Sequence, residues 1–391
     1  SSDLAHVMER VFITACILNN VAIGFFTGNP LKLMEDAQRL RPTIFIGVPR
    51  IYQRIHEVIT TNIAKASCLK KSLAERAIKT KLENYYRNGS ITHSIWDKLV
   101  FKKMKMALGG NVRFMVTGSA PISPEIKAFL KICFSCPMIE GYGQTENCAA
   151  ATLTNFIDNT PGHVGGPVSS CEIKLVDCPD LNYYTSDRDE EGVNVPRGEI
   201  CIRGPIIFKG YFKDKENTRK AFDSEGWLHT GDVGCILKNG NAIKIIDRVK
   251  NIFKLSQGEY VAPEKLEGVL MQSKYVTQIM VHGESLHNYV VAIIIPNNEE
   301  CVKYFHSVGR NGVSIDNVSS YFKDEGLKKE ILKDLETLGK SRDFKGFEII
   351  KQIFLTSEMF TLDNNLLTPT MKLKRHEVKK KYENEIRNMY S

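Results

Sequence analysis

The stretch GWLHTGDVGCILKNGNAIKIIDRVKNIFKLSQGEYVAPEKLE (residues 226–267) decides how the chain is partitioned. Thr230-Gly231-Asp232 reads as a tight acidic turn, and residues 242–246 alternate as a short strand. The charged run Asp247-Arg248-Val249-Lys250 follows, then a second glycine turn at Gln257-Gly258-Glu259. Pro263 opens a helix, since proline is tolerated in the first turn, where its missing N–H would have no partner. The texture before this stretch is short strands punctuated by glycine. After it the pattern mixes strand and helix, so a boundary is expected near residue 250.

Upstream, strands and helices alternate. Residues 43–48 read as a buried strand, and Ile51, Ile55 and Ile59 then share a helical face. A strand at 112–117 ends in Gly118-Ser119-Ala120-Pro121, and Ser123-Pro124 caps the next helix. A short strand at 137–139 empties into Gly141-Tyr142-Gly143-Gln144-Thr145-Glu146. This alternation predicts an α/β fold with a doubly wound, incomplete parallel sheet, whose ligands collect beyond the carboxyl ends of the strands. Strands at 171–176, 198–202 and 242–246, broken by Gly165, Gly166, Gly204 and Gly210, predict a small β-barrel, with a folded sheet as the alternative. Strands at 278–281 and 289–295 with later helices predict a separate α+β domain. The expected division is therefore 1–160, 161–249 and 250–391, without internal repeats.

At 391 residues the chain exceeds the roughly 250–300 at which one core stops growing. Its 42% apolar and 25% charged content is that of an ordinary globular protein, and the net charge of +8 leans toward anionic partners such as nucleotides or membrane surfaces. Lys70, Lys71, Arg76, Lys79, Lys81, Lys102 and Lys103 read as a solvated helix face, with anionic lipid as the alternative partner. Ten cysteines in a chain of this length indicate a reducing compartment, and Cys133 and Cys136 lack a second pair at zinc-site spacing. The apolar run from Val11 to Phe26 is broken by Asn19 and Asn20, which predicts a buried helix rather than a membrane span. The chain opens Ser1-Ser2-Asp3 without methionine, so a targeting signal or anchor upstream would not be visible in it.

Several residues suit nucleotide chemistry. Gly141 to Glu146 is neither a Rossmann fingerprint nor a phosphate-binding P-loop. Its two glycines let backbone amides approach a phosphate, Thr145 offers a hydroxyl, Glu146 a hard oxygen for magnesium, and Tyr142 a flat face for a purine. A plain glycine-rich turn is the alternative. Asp232 can accept both hydroxyls of a ribose, with an Asx-turn as its alternative. Arg248 would reach the same ribose, unless 247–250 is simply a solvated charge run. Lys372, in Leu367-Thr368-Pro369-Thr370-Met371-Lys372, reads on its own as a solvent-exposed lysine near the terminus.

Taken together, these motifs resemble the adenylate-forming superfamily, and within it the eukaryotic long-chain acyl-CoA synthetases. Gly24-Phe25-Phe26, Val48-Pro49-Arg50, His282-Gly283-Glu284-Ser285-Leu286 and Asp363-Asn364-Asn365 add to the likeness, which extends over nearly the whole chain. The resemblance implies ATP, Mg2+ and coenzyme A, a long-chain fatty acid as the other substrate, and no nucleic acid. It also implies peripheral association with the cytoplasmic side of an intracellular membrane, the endoplasmic reticulum foremost, or a cytoplasmic location. Gly118, Ser119, Ala120, Pro121, Gly141, Tyr142, Gly143, Gln144, Asp232 and Arg248 would bind nucleotide, with Thr145 and Glu146 at phosphate and metal. Lys372 would act on the carboxylate and α-phosphate, Lys254 in the second half-reaction, and Lys250 as hinge. His6, in Leu4-Ala5-His6, would lie near the acyl end, with a capping histidine as its alternative, and Gly258 would let the pantetheine arm pass. The Ser/Thr/Gly-rich phosphate loop ending in Pro-Lys-Gly does not occur here, so the chain reads as the C-terminal portion of a longer enzyme. A non-catalytic nucleotide-binding remnant and another type of adenylate-former are the rival readings.

Overall fold

The computed structural model describes residues 6–28, 32–237, 242–368 and 371–391. Two compact units emerge, one of Ser1–Cys178, Tyr183–Thr230 and Gly234–Ile245, the other of Pro179–Asn182, Gly231–Val233 and Ile246–Ser391.

The first unit begins with α1 (Val7–Leu18) and α2 (Leu33–Leu40), followed by β1 (Ile44–Gly47). Pro49 starts α3 (Pro49–Ala64), and α4 (Cys68–Asn88) and the short α5 (Lys102–Lys105) lead to β2 (Phe114–Gly118). Ser123 caps α6 (Pro124–Phe134) as its spacing predicts, its hydroxyl accepting from the Ile126 amide at 3.4 Å. β3 (Met138–Tyr142), β4 (Thr152–Leu153) and β5 (Gly166–Pro167) complete a sheet of order β1-β2-β3-β4-β5. Its first three strands are parallel, and Phe45, Met115 and Met138 lie side by side in register. These three share one core with residues of α2 to α6. The expected winding is therefore seen on one face among the described residues, because successive right-handed crossovers along a 1-2-3 order carry their helices to the same side. Tyr52 locks that layer to the sheet, its hydroxyl donating to the carbonyls of Phe45 (2.8 Å) and Val116 (3.0 Å).

Next come β6 (Glu172–Val176), β7 (Arg197–Arg203), α7 (Lys215–Ala221), β8 (Leu228–Ile236) and β9 (Ile243–Arg248). The four strands form an open sheet of order β6-β7-β8-β9, the folded-sheet alternative rather than the small barrel. Among the described residues β9 does not pair back onto β6, and so few strands cannot curl around a filled interior. Thr230-Gly231-Asp232, expected as a tight turn, instead lies inside β8, where Gly231 adopts φ 69°.

The second unit holds a hairpin of β10 (Phe253–Lys254) and β11 (Tyr260–Val261), then α8 (Pro263–Leu270), β12 (Val276–His282), β13 (Val290–Pro296), α9 (Asn298–Ser307) and α10 (Glu325–Lys340). β14 (Ile350–Leu355), α11 (Arg375–Lys381) and α12 (Glu383–Met389) follow. Its sheet has the order β12-β13-β14, antiparallel then parallel. Every residue of β13 is buried, as a continuous apolar run demands. Strand alternation sends Val290, Ala292 and Ile294 into a core shared with α8, α9 and α10, and Val291, Ile293 and Ile295 into one shared with α11 and α12.

Two sequence expectations fail here for the same reason: burial depends on what packs from elsewhere. Of the run at 11–26 only 11–18 is helical, within α1, and no residue of α1 is buried; Ile17 and Leu18 stay 69% and 79% exposed. No helix among the described residues is long and apolar enough to cross a membrane. Conversely Lys81, assigned to a solvated face, is fully buried, while Lys70, Lys71, Arg76, Lys79, Lys102 and Lys103 are exposed.

Candidate functional site: two clusters of nucleotide-type residues

In the first unit, Gly118 and Gly141 are register partners at the carboxyl ends of β2 and β3. The loops they open therefore leave the same edge of the sheet, the edge where parallel sheets collect ligands. Ser119 enters its loop at φ 71°, ahead of Ala120 and Pro121. Gly143 is required by packing: a Cβ there would lie 2.1 Å from the Ala149 carbonyl oxygen. Gln144 caps the single turn Thr145–Asn147, its amide donating to Asn147 Oδ1 at 2.8 Å, while its Nε2 donates to the Thr230 carbonyl at 2.9 Å. Thr145 is exposed and Tyr142 half-buried. Glu146 is half-buried, and its Oε1 accepts from the Tyr211 hydroxyl at 2.9 Å. Burial, and then the hydrogen bond to that carboxylate, push the Tyr211 phenol up to about 12, so it stays a donor. Tyr211 was not anticipated from sequence, because the two residues are 65 positions apart.

The second unit gathers the charged residues. Asp232 is buried, and Arg248, at the end of β9, sets its Nε 3.2 Å from Asp232 Oδ1. Lys372 is half-buried and its ammonium is held below the usual lysine range, by burial first and by the Arg248 cation second, with Glu264 and Asp232 opposing. Its backbone is fixed by Thr368, which accepts from the Lys372 amide through Oγ1 (3.0 Å) and donates its own amide to the Lys372 carbonyl (2.8 Å). Pro369 and Thr370 of the same motif lie outside the described residues. Three residues from distant parts of the chain are thus brought together. Lys250 is exposed just after β9. Lys254 stands apart on the hairpin, its ammonium 5.1 Å from the Tyr260 ring centre. Gly258 forms the hairpin turn at φ 92°, which favours glycine. His6 caps α1, its Nδ1 accepting from the Met8 amide at 3.3 Å, and Leu4 and Ala5 lie outside the described residues.

Behind Lys372 lies a network that no local pattern announced. Asp247 accepts from the amides of Arg248 (2.6 Å) and Glu264 (2.9 Å), the latter at the start of α8. Asn251 Nδ2 donates to Glu264 Oε1 at 2.8 Å. Burial and the Glu264 carboxylate push the Asp247 carboxyl well above its usual range. Arg375 pairs with Glu267 and donates to the Val281 carbonyl. Asp247 reads in sequence as part of an exposed charge run; its burial follows from α8 packing 17 residues later.

The family model described as "AMP-binding enzyme" matches residues 1–212. The chain belongs to the AMP-binding enzyme family. Long chain acyl-CoA synthetase 7, peroxisomal, of Arabidopsis thaliana is 45% identical over 388 residues, 99% of this chain and 54% of that protein. Long-chain-fatty-acid--CoA ligase 1 of Homo sapiens is 43% identical over 389 residues, 99% of this chain and 53% of that protein. The chain therefore spans about half the length of the curated relatives it matches. Among solved structures, the adenylation domain of a carboxylate reductase from Mycobacterium chelonae is 28% identical with a TM-score of 0.78, over 100% of this chain and 53% of that chain. Membership of the AMP-binding family fits the α/β class read from strand alternation.

Proposed function

We propose that this chain carries the nucleotide- and carboxylate-handling residues of a long-chain fatty acid–CoA ligase. The observation that carries the reading is the cation pair of the second unit. Burial first and the Arg248 cation second hold the Lys372 ammonium below the usual lysine range, with Glu264 and Asp232 opposing. A half-buried ammonium under the influence of a second, exposed cation favours a polyanionic ligand, as phosphoryl transfer requires. The identity to long-chain acyl-CoA synthetases across 99% of the chain supports a fatty acid as the partner substrate.

In the first half-reaction a fatty carboxylate oxygen attacks the α-phosphorus of ATP and pyrophosphate leaves, giving acyl-AMP. Asp232 accepts the ribose hydroxyls with Arg248 beside it. Lys372 offsets the charge that builds on the α-phosphate, and the Gly118–Pro121 and Gly141–Thr145 loops present backbone to the nucleotide. Glu146 suits magnesium: one carboxylate oxygen is engaged by Tyr211, and a carboxylate supplemented by substrate phosphates is this ion's usual protein contribution. Bound there, magnesium would neutralise phosphate charge. In the second half-reaction the coenzyme A thiol attacks the acyl carbonyl, AMP leaves, and a thioester forms. Lys254 and the Gly258 turn serve this step, with Lys250 as the hinge that exchanges one lysine for the other. His6 would stand near the acyl end. The domain division at about residue 250 belongs to this same reading, as does peripheral association with the cytoplasmic face of an intracellular membrane.

Calorimetric titration of the chain with a non-hydrolysable palmitoyl-AMP analogue tests the proposal. Saturable binding, tighter than that of AMP alone and weakened at least about tenfold by Asp232→Ala, is expected. Absence of binding, or an affinity indifferent to Asp232→Ala, would overturn it.

A further inference from the structure

Strands β7 and β8 carry a second cluster. Glu199 and Cys201 are two residues apart on β7, so strand alternation points both side chains to one face. His229 stands on the neighbouring strand β8. Its Nδ1 lies 2.8 Å from Glu199 Oε2 and 3.6 Å from Cys201 Sγ. The three donor atoms all fall within 4.8 Å of one another, and no other group of three such residues does so among the described residues.

We propose that Glu199, Cys201 and His229 form a binding site for a zinc-class divalent ion. Two donors at i and i+2 on one strand with a third on the next is a rigid way to converge ligands, because the sheet spaces them before any ion arrives. The donor set is one carboxylate oxygen, one sulfur and one imidazole nitrogen. That mixture selects a borderline-soft ion such as zinc and disfavours magnesium or calcium, which take oxygen. Tetrahedral coordination at about 2.0–2.3 Å puts ligand atoms roughly 3.3–3.8 Å apart. The sulfur–nitrogen separation already meets this, and the nitrogen–oxygen pair needs to open by about half an ångström.

The surroundings support such a site. The other imidazole nitrogen, Nε2, lies 3.9 Å from Asp223 Oδ2. A carboxylate on the far nitrogen is the usual arrangement behind a metal-ligating histidine. At 3.9 Å Asp223 acts on Nε2 through its charge, and a closure of about 1 Å would make the hydrogen bond that fixes the tautomer. Asp223 is itself fixed, accepting from the amides of Glu225 and Trp227, each at 2.9 Å, and from Lys174 Nζ at 3.2 Å. Cys201 is fully buried, whereas the His229 and Glu199 side chains are 29% and 19% exposed, so the cluster is walled below and open above. Three protein donors leave a fourth position for water or an exogenous ligand. His229 also precedes Thr230, the carbonyl partner of Gln144, so an occupied site would bear directly on the loop that carries Thr145 and Glu146.

Cobalt is the probe, because thiolate-bound tetrahedral cobalt shows a sulfur-to-metal charge-transfer band and strong visible absorption that an oxygen-bound ion lacks. Chain stripped with a chelator and titrated with Co2+ is expected to develop both at one equivalent and to lose both on addition of Zn2+. Cys201→Ser should abolish the charge-transfer band. Glu199→Gln and His229→Gln should each weaken zinc at least tenfold in competition with a chromogenic chelator. Glu199→Gln is part-exposed and keeps the fold testable if Cys201→Ser does not fold, with circular dichroism as the check. No band, a band that survives Cys201→Ser, or zinc affinity unchanged in Glu199→Gln would show that Glu199 and His229 merely share a hydrogen bond and that the proposal is wrong.

Discussion

Lys81 in the first unit and Lys372 in the second are both withdrawn from water, and they differ in what meets the ammonium. Lys81 is fully buried, and its Nζ donates to Asp97 Oδ1 (2.6 Å), the Ile132 carbonyl (2.5 Å) and Ser135 Oγ (2.9 Å), with the Phe101 ring 4.2 Å away. All three of its protons are used, so its charge is spent on holding α4 against α6. Around Lys372 the second-largest influence is another cation, Arg248, and among the described residues no hydrogen bond engages its ammonium. Burial lowers both lysines' proton affinity. Lys81 is closed by three acceptors of its own protein. Glu264 and Asp232 act on Lys372 by charge, without a hydrogen bond among the described residues, a contrast that fits the ligand-facing role proposed for Lys372.

The largest expected effect breaks the structural side of this contrast. Lys81→Ala strands Asp97 and should cost about 3–5 kcal/mol of stability in urea unfolding. A loss under ~1 kcal/mol, the scale of an exposed ion pair, would show that the three donors are not acting on a buried charge. Next comes Lys372→Ala, which should leave unfolding almost unchanged. At the matching position of a full-length relative it should slow acyl-adenylate formation about 10²–10³-fold, the loss for one preorganised charge-stabilising donor. Transfer from ready-made acyl-AMP to coenzyme A should survive it, whereas Lys254→Ala should show the reverse; equal losses in both half-reactions, followed in single turnovers, would remove the separate roles given to the two lysines.

Asp232→Ala is a smaller perturbation, expected to cost about 2–3 kcal/mol of nucleotide affinity by calorimetry through lost charge-assisted hydrogen bonds. The finest test is titration of methyl-labelled Lys372 by NMR. Its proton affinity is lowered, so the cation is lost as the pH rises through a value below that of an ordinary lysine. Arg248→Ala should move this titration up by removing a repelling charge. Asp232→Asn should move it down by removing a supporting one. Shifts of the opposite sign would place the repulsion elsewhere.

What could be read beforehand follows from how local each cause is. Ser123-Pro124 caps α6 and Pro263 opens α8, because caps and fixed φ angles act within one turn. The unbroken apolar run of β13 required burial on both faces, and it has it. The glycine turn at Gly258 and the loops after β2 and β3 were equally legible, since positive φ and strand ends leave their mark in neighbouring residues. Thr230-Gly231-Asp232 misled because a Gly-Asp pair signals a turn wherever it falls, and only sheet pairing reveals that this one lies within a strand.

Local sequence thus determined the caps, the strand alternation, the buried β13 and the candidate loops, all of which depend on contacts a few residues apart. Tertiary structure alone decided that Lys81 is buried and α1 is not, that Tyr211 holds Glu146, that Asp247 caps α8, and that Glu199, Cys201 and His229 converge. The physical reason is that burial and charge pairing depend on neighbours in space. Lys81 meets Ile132 across 51 positions and Ser135 across 54, and no periodicity in α4 distinguishes it from the exposed Lys79 two residues earlier.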